Sequence, residues 1–144
     1  MIPHTKKKIP VTNNRTAMIF FWVLRFLAAL IMLQTLFFKF SGSEESVYIF
    51  STLGIEPWGR IGTGCLELIA SILILIPKTT GIGAVLGLGV MSGALFVHFT
   101  RLGLVVKGDH GQLFIYCLIV FLSCLVLAWS FKNQLCILNT RSSN

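Results

Sequence analysis

Long apolar runs separated by short polar breaks divide this chain into four spans, at about 17–40, 58–76, 81–102 and 112–131. Each meets or approaches the roughly 17–25 residues that an α-helix needs to cross the hydrocarbon core of a bilayer. The breaks carry their own signals. Lys78-Thr79-Thr80-Gly81 is short enough to make the second and third spans antiparallel neighbours. Asp109-His110-Gly111-Gln112 puts an acceptor at the expected N-cap and Gln three residues on, a capping-box-like start for the fourth span. Within the 41–57 loop, Glu44 to Leu53 is amphipathic, with Val47 and Phe50 to one side, and Ile49 and Leu53 as further candidates for it, which predicts a short helix lying in the interface. The pattern as a whole predicts an all-α membrane protein: a four-transmembrane-helix bundle with a short interfacial helix in the first external loop. Residues 1–16 read as a disordered cytoplasmic tail, 17–131 as the bundle, and 132–144 as a second cytoplasmic tail. The first run, from Ala17, is longer than a signal-peptide core and has no A-x-A-like site after it, so it is expected to stay in the mature protein.

Composition agrees with the pattern. Of 144 residues, 55% are hydrophobic and 12% charged, with a mean hydropathy of +0.83; soluble domains run near 45–50% and about 25%. The formal charge of +7 invites a nucleic-acid reading. That class is excluded, because the basic residues sit at the ends of apolar runs instead of forming a stripe interleaved with aromatics. If the N-terminus is inside, one side carries Lys6, Lys7, Lys8, Arg15, Lys78, Lys132 and Arg141 and no acid. The other carries Lys39, Arg60, Arg101 and Lys107 against Glu44, Glu45, Glu56 and Asp109. The bias places both termini in the cytoplasm, and the expected location is a bacterial cytoplasmic (inner) membrane.

Soluble-enzyme chemistry leaves no trace. Cys65, Cys117, Cys124 and Cys136 have neither C-x-x-C nor zinc-ligand spacing, so no metal site is expected and the thiols read as small hydrophobes. Cys117 and Cys124 lie two turns apart, about 10 Å, too far for a disulfide. The glycines of Gly59-Arg-Ile-Gly62-Thr-Gly64 open a membrane helix with no strand before them, so they are not a nucleotide loop. No catalytic residue can be named.

What stands out is a set of ionisable groups inside the spans, where the default reading is functional. Arg25, Ala29, Met32, Leu36 and Lys39 share a face of the first helix; Arg60, Thr63, Gly64, Glu67 and Ser71 share one on the second. On the third, Gly87, Met91, Ala94, His98 and Arg101 or Leu102 line up. Counted from the cytoplasmic ends, Arg25 lies roughly 12 Å deep and Glu67 roughly 13–14 Å, which predicts an Arg25–Glu67 ion pair between the first two helices. Lys39, His98 and Arg101 are then expected near the outer mouth, so Arg25, Lys39, Glu67, His98 and Arg101 form the candidate ligand-binding set. Gln34 falls on the opposite face from Arg25 and is expected to bond a neighbouring helix or subunit. Gly83-x-x-x-Gly87 and Gly89-x-x-x-Gly93 mark close helix packing, the first on the His98 side and the second away from it.

From about Leu24 to Trp129 the chain resembles the DoxX family of small four-span membrane proteins. The resemblance rests on Arg25 and the helix ending Phe38-Lys39-Phe40, on Gly54-Ile-Glu-Pro57 followed by Gly64-Cys-Leu-Glu67, on Gly93-Ala-Leu-Phe-Val-His98, and on Gly108-Asp-His-Gly111. Ser71 departs from the glycine that many members carry after the second-span glutamate. The resemblance implies the four-span fold, and for some members an association with thiosulfate:quinone oxidoreductase or redox and detoxification complexes. The function expected is therefore that of a redox-associated membrane subunit whose polar interior binds a small anionic or quinone-type ligand. In that reading Arg25 and Lys39 anchor the ligand's oxygens, Glu67 holds Arg25, and His98 relays a proton. A four-span small-molecule transporter and a ligand-free assembly or scaffold protein are the alternatives. No flavin, haem or thiol relay is evident, and quinone is the one cofactor left open. The expected partners are the lipid bilayer, a membrane or redox-enzyme partner, and a second copy of the chain.

Overall fold

The computed structural model describes residues 14–141. They form α1 (Asn14–Ser41), α2 (Glu44–Thr52), α3 (Trp58–Leu75), α4 (Thr80–Val97) continued by a π-helical turn (His98–Leu102), α5 (Gln112–Ser130) and α6 (Lys132–Arg141). Helices α1, α3, α4 with its π turn, and α5 are long and apolar enough to cross a membrane. The chain is an all-α integral membrane protein, and the four spans fall within three residues of their expected limits. Of the expected N-terminal tail, residues 1–13 lie outside the described residues, and 14–16 already belong to α1. The expected C-terminal tail contains α6, which the apolar pattern gave no reason to anticipate.

The spans close into a ring in which α1 and α4 each pack against both α3 and α5. Ala28, Met32, Ala70, Ile74, Ala84, Val120, Cys124 and Leu127 form the core. Lipid tails are as apolar as leucine, so what draws such helices together is close van der Waals approach. Gly83 shows it: a Cβ added there would lie 2.6 Å from the Ile74 amide nitrogen and 2.9 Å from the Ala70 carbonyl oxygen of α3.

Gly87 fixes the levels of the bundle. A Cβ added there would lie 2.9 Å from Cys124 Sγ and 3.8 Å from both Ile74 Cδ1 and Met32 Sδ. Met32, Ile74 and Cys124 thus share one level. Seven residues make two helical turns, about 10.5 Å. Two turns one way lie Lys39 (α1), Glu67 (α3) and Cys117 (α5), at the α2 end of the molecule. Two turns the other way lie Arg25, Gly81 and Phe131, at the opposite end, where α5 finishes and α6 starts (the terminal end). The last level is confirmed directly, since a Cβ on Gly81 would sit 2.6 Å from the Phe131 carbonyl oxygen. Because α1 begins eleven residues before Arg25, it projects about 16 Å past the α3–α4 turn.

Side chains finish the ends. In the α3–α4 turn, Thr79 Oγ1 donates to the Leu73 carbonyl (2.9 Å) and Thr80 Oγ1 to that of Ile74 (3.1 Å). Gln134 of α6 latches the same turn, accepting from Gly81 N (2.7 Å) and donating to the Pro77 carbonyl (2.8 Å). Ser43 caps α2, whose Ser46 and Phe50 are buried. The start of α5 differs from the expected capping box. The N-cap is Gly111, with φ 83° in the left-handed region that favours glycine. Asp109 works from two residues further back, its carboxylate accepting from the amides of Val106 (2.8 Å), Gly111 (2.9 Å) and Leu113 (3.0 Å). Gln112 turns away and donates to the Tyr116 hydroxyl (2.6 Å). Partial burial pushes the Asp109 carboxyl up, but the three amide donors, with a smaller contribution from His98, outweigh it and hold the group below the ordinary carboxylate range.

Candidate functional site

Glu67, at 2% exposure, is the most deeply buried carboxylate among the described residues. Its position on α3 is secured by Gly64 one turn earlier, which lets Phe40 and Leu36 of α1 approach, and by Ser71, whose hydroxyl donates to the Glu67 carbonyl (2.7 Å). A buried carboxylate requires partners. Both come from α1: Lys39 Nζ forms an ion pair with Oε1, and Thr35 Oγ1 donates to Oε2 (3.1 Å). Arg60, one level nearer the α2 end, braces the same helix. Its Nε binds Glu56 bidentately (2.8 and 3.0 Å) and its Nη1 donates to the Lys39 carbonyl.

The expected Arg25–Glu67 pair is therefore corrected to Lys39–Glu67. The depth count took Ala17 and Ile76 as lying in one plane, whereas α1 overshoots that plane, which carries Arg25 fourteen residues, about 21 Å, from the Glu67 level. Arg25 is buried at the terminal end, its guanidinium carbon 4.6 Å from the Trp22 ring centre and 4.9 Å from that of Phe131.

Above the ion pair a cavity of about 450 Å³ opens between α1, α4 and α5 under α2. Thr35, Lys39, Glu67, His98 and Asp109 are on its wall, among mainly apolar residues such as Met32, Phe38, Phe50, Val90, Met91 and Leu113. Of the five residues expected at the site, the structure brings Lys39, Glu67 and His98 together on this cavity and leaves Arg25 and Arg101 outside its lining. Arg101 is displaced by the π turn: the Gly103 amide donates to the His98 carbonyl (2.8 Å), five residues back, and the extra residue rotates Arg101 outward while Leu102 takes the inner side. His98 itself is buried, its Nδ1 donating to the Gly103 carbonyl (2.9 Å) and its ring edge-on to Phe114. With Nδ1 committed to that carbonyl, Nε2 is the ring nitrogen left for another partner. Gln34 lies exposed at the cavity's edge.

The sequence reading missed Thr35, Asp109 and Tyr116 as wall residues. Thr35 was findable, since it stands four residues before Lys39 and shares its face. Among the described residues no three His, Cys, Asp or Glu side chains cluster as a metal site.

A ring of four spans enclosing a buried ion pair beneath a lateral helix defines a four-span integral membrane protein with a mainly apolar pocket, floored by that pair, at one end. Residues 23–128 match the family model described as the DoxX-like family, and the chain belongs to that family. No curated protein matches it, and neither does any solved structure.

Proposed function

We propose that this protein is a redox-associated membrane subunit that binds a quinone-type ligand in the cavity above Lys39 and Glu67. The observation that carries this reading is the mainly apolar cavity with one compensated ion pair and one histidine on its wall. Lys39 spends one of three ammonium donors on Glu67 and keeps others for a ligand oxygen. Because Glu67 neutralises Lys39, the wall suits an uncharged molecule with carbonyl or hydroxyl oxygens better than a free anion, which would meet the carboxylate as well. His98 Nε2 can accept a hydroxyl proton and return it, while the Gly103 carbonyl holds the ring in place. The polar edge residues Gln34 and Tyr116 give an amphiphile's headgroup a path along the wall. We place the protein in a bacterial inner membrane with both termini cytoplasmic; a reporter fused after Asn144 that reads as external would reverse this orientation.

The test is a titration of the detergent-purified protein with decylubiquinone, read by thermal shift and native mass spectrometry. Wild type should bind one molecule, and His98→Ala should weaken binding about tenfold, the size of one lost hydrogen bond to a buried polar group. Equal binding by wild type and His98→Ala, or none by either, overturns the proposal.

A further inference from the structure

Arg25 presents a second, separate problem. The residue is only 5% exposed, and its Nε is fully enclosed with no hydrogen-bond partner. Its described contacts are the faces of Trp22 and Phe131. Such faces attract a cation, but they do not satisfy the five N–H donors along the edge of a guanidinium. A buried charge needs a counter-charge, and no acidic side chain among the described residues lies near it. The chain's five acidic residues are Glu44, Glu45, Glu56, Glu67 and Asp109. All lie in the half nearer α2, and Glu67, the one on the facing helix, is about 21 Å away by helical rise.

The surroundings say what kind of anion fits. Arg25 is level with the α3–α4 turn and the end of α5, so it lies where a bundle of this length meets headgroups and not in mid-bilayer. Lys78 in the turn and Lys132 at the start of α6 make the same end basic, and Trp22 and Trp129 are the aromatics usual at that depth. A guanidinium with its faces covered by rings and its edge unpartnered matches a bidentate, planar pair of oxyanion oxygens.

We propose that Arg25 is the anchor of an oxyanion site at the terminal end of the bundle, and that a phosphate group occupies it, either the diester of an anionic phospholipid or free inorganic phosphate. The site is distinct from the cavity over Lys39 and Glu67 and does not depend on any ligand there. In it, Arg25 holds two phosphate oxygens between α1 and the α5–α6 junction, which ties α6 to the bundle when the anion is present.

The experiment uses the full chain, delipidated in a neutral detergent, with two probes titrated separately: dioleoylphosphatidylglycerol, followed by native mass spectrometry, and sodium phosphate at constant ionic strength, followed by thermal shift. For at least one probe, wild type should bind about tenfold more tightly than Arg25→Gln, as expected for losing a charge-assisted pair. Dependence on Arg25 for phosphatidylglycerol alone identifies the source as lipid, and dependence for phosphate identifies it as the free anion. Should Arg25→Gln fail to accumulate, Arg25→Lys decides. It keeps the charge but loses the two-pronged geometry, and should bind about threefold or more weakly. Affinities for both probes that are unchanged in the variant measured overturn the proposal.

Discussion

Replacing Lys39 by methionine tests the centre of the structure, because it keeps the bulk of the side chain and removes only the charge. Glu67 would keep the Thr35 hydrogen bond but lose the ammonium, with its side chain only 3% exposed. Removing one partner of a buried pair typically costs about 3–5 kcal/mol. The remaining Thr35 bond offsets about 1 kcal/mol of that, so Lys39→Met should cost about 2–4 kcal/mol. Glu67→Gln should cost less, about 1–2 kcal/mol. Its amide oxygen still accepts from Thr35 or Lys39, and the Lys39 side chain, 16% exposed, can reach toward the polar α2 end. The double variant should recover about 1–3 kcal/mol of the summed losses, since both changes act on one contact. Denaturant unfolding in mixed micelles, done as a double-mutant cycle, measures all three. A parallel cycle of Arg25→Gln with Glu67→Gln should be additive to within about 0.5 kcal/mol, because about 21 Å separates their levels. Additivity in the first cycle, or coupling in the second, would refute the pairing and restore the depth count made from the sequence.

Three further outcomes are expected. Asp109→Ala removes the acceptor of three amides and should cost about 1–2 kcal/mol. Because its folded pKa is depressed, the stability Asp109 contributes is present above the unfolded value near about 3.9 and is lost as pH falls through the lower folded value; the acid limb of the wild-type pH–stability curve should be shallower in the variant. Gly83→Val should destabilise by about 1–3 kcal/mol or block accumulation, as the new side chain meets α3 backbone, whereas Gly89→Ala, which meets nothing within 4 Å, should be neutral or stabilise by up to about 1 kcal/mol. In native protein, N-ethylmaleimide should label the exposed Cys65 and leave the buried Cys117 and Cys124 until the protein unfolds; labelling of Cys124 at the rate of Cys65 would contradict the packing.

The spans and their inward faces were legible because hydropathy and a 3.6-residue period are properties of single helices. Arg25, Met32 and Lys39 do share a face, and Gly64, Glu67 and Ser71 share another. What the sequence could not supply was the axial offset between helices. Nothing in α1 says that it overshoots its neighbours, and that offset alone decides whether Glu67 meets Arg25 or Lys39. The π turn was hidden for a similar reason: it is one residue of slack that sets Arg101 against Leu102, and neither period nor composition encodes it. Helix α6 escaped because it is too short and too polar to register as a span, and the contacts by which Gln134 joins it to the α3–α4 turn are hydrogen bonds that no period encodes.

The unequal lengths of the helices bear on bilayer mechanics. Helix α3 has 18 residues, about 27 Å, a few Å short of an average hydrocarbon core of about 30 Å. The bilayer around α3 must thin, or the bundle must tilt, at a fraction of a kcal/mol per Å. The longer α1 relieves none of this, since its surplus lies past the bundle's edge. Acyl-chain length then becomes a control on Arg25: in a thicker bilayer its level sinks below the phosphates, and in a thinner one it rises to meet them. Reconstitution across a series of chain lengths should therefore show stability peaking in short-chain lipid for wild type, with a flatter profile once the guanidinium is removed.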